Sequence, residues 1–158
     1  MPKQRPYKIP VSVLVLIHTA ALDVLLMRRA ARSGTFWQSV TGSRRTPDEP
    51  LLQTAVREVR EETGIDATAP DICLSDWHMT NTFEIAPEWG GHFAPGVTHN
   101  EEHVFALRVP AGTPVCLNPR EHLEWIWLPW QEAAVRCWSW TNAKACRDLP
   151  AMASGAAT

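Results

Sequence analysis

No run of Lys and Arg stands out in this chain of 158 residues, whose formal net charge is −2. Binding to a nucleic-acid polymer leans on clustered basic side chains, so that class of partner is set aside. A small anion, which needs only a few cations or a metal, stays open. Long apolar runs are missing too. The stretch from Val11 to Ile17 falls far short of the roughly 20 residues that a membrane-spanning helix needs. No cleavage-site pattern follows it, so no signal peptide is read, no membrane partner is expected, and the expected compartment is the cytoplasm. The cysteines, Cys73, Cys116, Cys137 and Cys146, form no C-x-x-C pair. That argues against a zinc ribbon or a thioredoxin-type motif and leaves reduced thiols as the expectation.

Internal repeats and Pro/Gly/Ser-rich linkers are also lacking. What is there is an ordinary composition, 45% hydrophobic and 20% charged, in a chain long enough to bury its own core. Residues 1–150 are expected to form one domain, and the small, polar stretch 151–158 a loose tail. Oligomeric state is left open, with a monomer favoured.

Val11–Ile17 is β-branched and almost wholly apolar, the pattern of a strand buried on both faces. Val24–Met27 reads as its hairpin partner, ending at Arg28 and Arg29. Phe36–Thr41 reads as a short strand stopped by Gly42. A helix is expected from about Pro50 to Thr63, with proline suited to its first turn and Gly64 to its C-terminal cap. Further strands are expected at Asp71–Phe83, Val104–Val109 and Glu124–Leu128, and a helical region between Pro129 and Leu149, broken near Trp138. Strands mixed with a few helices indicate an α/β layered domain.

The helix carries the most informative residues, Arg57-Glu58-Val59-Arg60-Glu61-Glu62-Thr63-Gly64-Ile65. At about 100° per residue, Leu51, Leu52, Ala55, Val56 and Val59 form an apolar arc, and Glu58, Glu61 and Glu62 fill the adjoining one. Carboxylates three and four residues apart repel, the more so if partly buried. A hard divalent cation with oxygen ligands resolves that conflict, and magnesium typically recruits a few carboxylates together with substrate phosphates. Arg57 can hold one carboxylate in place through a charge-assisted bond. Taken alone, the pattern would equally suit a solvated helix face with surface ion pairs.

Gly42 and Glu49 precede this segment, and the whole resembles the Nudix box, G-x5-E-x7-R-E-U-x-E-E-x-G-U with U apolar. The second half matches at every specified position. The first half departs from it, because six residues rather than five separate Gly42 from Glu49. An insertion in the Arg44–Pro47 loop accounts for the extra residue. The resemblance implies a Nudix fold, a mixed sheet sandwiched between helices, and hydrolysis of a nucleoside diphosphate linked to another group. It further implies magnesium, with manganese as a substitute, held by Glu58 and Glu62. Glu61 would be an additional ligand or base, and Arg57 would orient the set.

A narrower similarity lies outside the box. Phe36–Gly42, Phe83-Glu84-Ile85, Ala94–Thr98 with Asn100, Glu121-His122-Leu123, Tyr7-Lys8 and Trp138-Ser139 look like the members of that family that act on dihydroneopterin triphosphate, a step toward folate. By that similarity Glu121 would be a further metal ligand, and Lys8, Arg28, Thr41, Phe83, Glu84, Ile85 and Ser139 would lie along the substrate. The residue types agree: Lys8 and Arg28 suit a triphosphate, Phe83 can stack on a pterin ring, and Glu84 can accept from ring N–H groups. The competing expectations are a nucleoside triphosphate, ordinary or oxidised, as substrate, and a catalytically silent sensor of a nucleotide-like ligand.

His99-Asn100-Glu101-Glu102-His103 matches the H-x-x-E-H metalloprotease pattern, which requires a helix. Here it leads into an apolar strand, so a zinc site is discounted. Trp125, Trp127 and Trp130 are expected in the packing around the last strand, and Trp37 and Trp138 at a pocket wall.

Overall fold

The computed structural model describes residues 6–30 and 36–155. Within them seven strands form one mixed sheet: β1 (Val11–His18), β2 (Asp23–Arg29), β3 (Trp37–Gln38), β4 (Val40–Ser43), β5 (Cys73–Glu84), β6 (His99–Arg108) and β7 (His122–Pro129). β1 runs parallel to β6, pairing Val11 with Glu101 through to His18 with Arg108. The other ladders are antiparallel: β2 pairs with β1, β3 and β7, β4 with β1, and β5 with β6. Among the described residues, three helices complete the fold, α1 (Leu51–Thr63), α2 (Trp130–Arg136) and α3 (Trp140–Gly155), with a 3₁₀ turn at Pro87–His92.

The expected layers are present. Val13, Val15 and Ile17 of β1 pack with Ala55 and Val59 of α1 on one face. Leu14 and Leu16 pack with Ala133, Ala145, Cys146 and Leu149 of α2 and α3 on the other. β1 is apolar at nearly every position because both of its faces are covered. α1 ends at Gly64, whose φ of 73° is the left-handed conformation that glycine adopts without a Cβ penalty.

Four expectations need correction. Phe36–Thr41 is not one strand: it breaks at Ser39, whose backbone N–H turns out of the sheet to Asn142 Oδ1 at 2.7 Å. β6 starts at His99 rather than Val104, because its polar first half pairs with the equally polar end of β5, Asn81–Glu84. The stretch Ala151–Gly155 is helical rather than a loose tail; Met152 and Ala153 pack against the second core cluster, which holds the last turns of α3. Residues 156–158 of the expected tail lie outside the described residues, as does most of the loop between β2 and β3. Trp127 and Trp130 pack on the two clusters as expected, but Trp125 is 49% exposed. All four cysteines are free, and no helix among the described residues is long and apolar enough to cross a membrane.

Candidate active site

A cavity of 760 Å³ opens where α1, the ends of β4, β5 and β6, and the start of α3 meet. Its floor on the α1 side is a carboxylate cluster built around Arg57. The Arg57 guanidinium donates to Glu49 Oε1 at 2.9 Å, Glu58 Oε1 at 2.8 Å and the Ser43 carbonyl at 3.0 Å, with Glu61 Oε2 at 3.5 Å. Glu49 also accepts from Thr54 Oγ1 at 2.6 Å and the Arg45 backbone N–H at 3.1 Å. Chiefly through the Arg57 bond, these donors hold the Glu49 carboxyl down at about 2. Glu49 is thus a fixed anchor for Arg57, which in turn aims Glu58. The extra residue after Gly42 does not disturb this anchor. The loop doubles back so that Arg45 bonds Glu49 through its backbone and Glu61 through its guanidinium at 3.0 Å.

Gly42 makes room for the cluster. A Cβ built on it would overlap the Glu58 carboxylate, so a larger residue here would displace the end of that side chain. Glu58 and Glu62 are both raised above the usual carboxylate range, by burial first. For Glu62 the negative charges of Glu58 and Glu121 add to the effect. Glu62 is 2% exposed and its Oε2 has no partner.

Among the described residues, Glu62, Glu121 and His122 bring one ligand atom each to within 4.8 Å of one another. A buried, unpartnered carboxylate oxygen beside further carboxylates fits a hard divalent cation. The donor set therefore suits the expected magnesium, with Glu58 adjoining and Glu61, half exposed, at the rim.

His122 belongs to a chain of contacts that was not anticipated. Trp138 Nε1–H donates to Gln38 Oε1 at 3.3 Å, which leaves the Gln38 amide nitrogen to face His122 Nε2, also at 3.3 Å. His122 Nε2 therefore accepts, and lies 3.8 Å from Glu62 Oε1. Burial, together with the Arg29 charge, lowers the imidazole to about 4, so the ring is neutral at pH 7.

Of the residues expected along a substrate, Lys8, Thr41, Phe83, Glu84, Ile85 and Ser139 all line the cavity. Arg28 does not. Its guanidinium lies 2.8 Å from Glu124 Oε1 on β7, and Arg29 lines the cavity instead. Strand alternation accounts for the difference: Arg29 follows Leu25 and Met27 onto the face that packs on α1, and Arg28 follows Val24 and Leu26 onto the other. Trp138 lines the cavity, stacked on Phe36 with ring centroids 4.3 Å apart, whereas Trp37 is a core residue, 8% exposed. The His99–His103 segment lies on β6, and its helical zinc-site reading falls away. Arg45, Gln38, Asn100, Glu102 and Trp89 also line the cavity; polar residues in short strands and loops carry no periodic signal that marks them.

Known proteins resemble this chain in sequence and fold. The chain is 40% identical over 147 residues to the dihydroneopterin triphosphate diphosphatase of Escherichia coli (strain K12), covering 93% of this chain and 96% of that one. It is 36% identical over 141 residues to the Haemophilus influenzae protein of the same name, covering 89% and 87%. The solved E. coli dihydroneopterin triphosphate pyrophosphohydrolase superposes with a TM-score of 0.82 at 39% identity, over 91% of this chain and 97% of that one. A Caenorhabditis elegans Ap4A hydrolase, at 19% identity, shares the fold with a TM-score of 0.69 over 92% and 98%. The profile of the NUDIX domain matches residues 8–149, and the chain belongs to that family of hydrolases.

Proposed function

We propose that this pyrophosphohydrolase acts on dihydroneopterin triphosphate, releasing pyrophosphate and leaving the monophosphate, in the cytoplasm. The observation that carries the reading is a single cavity joining the Glu58–Glu62 cluster to a wall bearing Phe83 and Trp138. One end suits a metal-bound triphosphate and the other a flat heterocycle. The names of the relatives that span nearly the whole chain support the same substrate.

Glu58, Glu62 and Glu121 would hold magnesium, with manganese as a substitute, and Glu61 would add a ligand or take a proton from the attacking water. When bound, the divalent cation neutralises phosphate charge and makes a coordinated water more acidic. Arg57, fixed by Glu49, keeps Glu58 oriented. Lys8 and Arg29 place positive charge along the phosphates. Phe83 stacks on the ring, and Thr41, Glu84, Ile85 and Ser139 line its approach. Positioning and electrostatics suffice for phosphoryl transfer to water, so no covalent nucleophile is invoked.

The test is a magnesium-dependent turnover assay with dihydroneopterin triphosphate beside deoxynucleoside triphosphates, with Glu62→Gln as control. Pyrophosphate release, fastest on the pterin and abolished in the variant, is the expected result. Faster turnover of a nucleoside triphosphate would overturn the substrate and keep the reaction. Binding without turnover of any substrate would make the chain a sensor.

A further inference from the structure

Two buried acceptors line the cavity on the sheet face opposite α1. Asn100 and Glu102 alternate inward on β6 and are 5% and 4% exposed. Asn100 Nδ2 donates to Ser12 Oγ at 2.8 Å, so its Oδ1 is turned away from Ser12, and it has no partner. Asn81 and Thr141 act to lower the Glu102 carboxyl, against a larger upward push from burial, and its Oε1 also has no partner. Buried polar atoms are almost always satisfied, so two unsatisfied oxygens two residues apart on one strand face mark a place for a ligand. Both are acceptors, and what they lack is donors. Phe83 is the direct β5 partner of Asn100, so its ring lies on the same face beside them. Glu84, one residue on, alternates to the opposite face and is exposed where the cavity opens.

We propose that Asn100 and Glu102 recognise the substrate's heterocycle by accepting hydrogen bonds from the neighbouring ring N–H and amino group of a 2-amino-4-oxopyrimidine edge. Pterins and guanine carry that edge. Hypoxanthine lacks the amino group, and adenine lacks the ring N–H. Two adjacent acceptors, Asn100 Oδ1 and Glu102 Oε1, match two adjacent donors. Burial raises the Glu102 carboxyl above its usual range, and a ligand bringing donors to Oε1 would reverse that. The inference rests on the reading of the chain as a hydrolase of a ring-bearing triphosphate and assigns the ring's polar contacts within it.

Guanosine and inosine triphosphates differ only in the 2-amino group, so their comparison needs no substitution. Wild-type kcat/KM with magnesium should favour the guanosine compound by roughly 10- to 100-fold, the scale of one charge-assisted hydrogen bond. Glu102→Gln puts an amide in place of the second acceptor oxygen. It should bring the ratio close to one, by lowering turnover of the guanosine compound more than that of the inosine compound. Calorimetry with neopterin, guanosine and inosine, none carrying phosphate, in metal-free buffer, reads the subsite apart from hydrolysis. Neopterin and guanosine should bind more tightly than inosine, and the substitution should erase the difference. Ring binding that depends on Glu102, with no triphosphate hydrolysed, would sink the proposed reaction and keep the subsite. Hydrolysis with an unchanged ratio in the variant, or no wild-type preference between the two rings, would overturn the subsite and keep the reaction.

Discussion

Glu62 should destabilise the metal-free protein that it serves. Its side chain is 2% exposed, one oxygen has no partner, and Glu58 and Glu121 lie beside it. Replacing it by glutamine keeps the shape and removes the buried charge. Relief of an uncompensated buried group is worth about 1–2 kcal/mol here, within the range for unsatisfied polar groups. For a domain of this size that raises the melting temperature by roughly 2–8 °C. The gain has a defined pH window. Because the folded-state carboxyl is raised above its unfolded value, the wild-type protein is destabilised above that raised value. It recovers stability as pH falls through it toward the unfolded value of 4.5. The assay is thermal unfolding at pH 8, in a chelator and then in magnesium. At a magnesium concentration 100-fold above its dissociation constant, the wild type gains about 2.7 kcal/mol. The variant, short of a ligand, gains far less. The order of melting temperatures should therefore reverse between the two buffers. A variant that melts below the wild type in chelator would refute the reasoning, and so would an equal response of both proteins to magnesium.

Gly42→Ala should push Glu58 away from Arg57 and lower apparent magnesium affinity by roughly 10- to 100-fold, as loss of orienting contacts does at metal sites; wild-type affinity in a magnesium titration would show that Glu58 is not a ligand. Glu49→Gln should cost about 1–3 kcal/mol at pH 7, since it removes the partner of a largely buried arginine. The folded Glu49 carboxyl is depressed to about 2, so its stabilisation is present above its unfolded value and lost as pH falls from about 4.5 to about 2; acid unfolding curves of variant and wild type should converge there, and parallel curves would contradict it. Arg28→Ala should leave kcat/KM within about twofold, because its exposed pair with Glu124 is worth at most about 1 kcal/mol. Arg29→Ala should lower it more than about tenfold, and the opposite ranking in steady-state kinetics would restore Arg28 to the substrate.

Local features were the ones that could be read from the residues alone. α1 announces itself because its proline start, glycine end and apolar stripe all lie within fifteen consecutive positions, and its carboxylates come with it. β1 is legible because burial on both faces leaves no polar position to confuse the pattern. Arg28 and Arg29 could not be told apart, since alternation sends Arg29 to the face of Leu25 and Met27, and only the fold shows that α1 and the cavity lie on that face. The break at Ser39 is invisible for the same reason: Asn142, which takes its backbone N–H, lies 103 positions on. Asn100, Glu102 and His122 resemble ordinary solvent-side strand residues until the sheet covers them.

The parallel pairing of β1 with β6 sets an order of events. Val11 meets Glu101 across 90 positions of chain, so the middle of the sheet closes only after a long loop has been drawn in. α1 can form before that, with its three glutamates already on one face. Glu121, His122, Asn100 and Glu102 cannot join them until the long-range ladders are made. Neither the ion nor the ring then has a complete site to bind during the climb to the folding barrier. Magnesium added to a refolding reaction should leave the folding rate nearly unchanged and instead slow unfolding, so the metal acts as a latch on the finished protein rather than as a guide to its assembly.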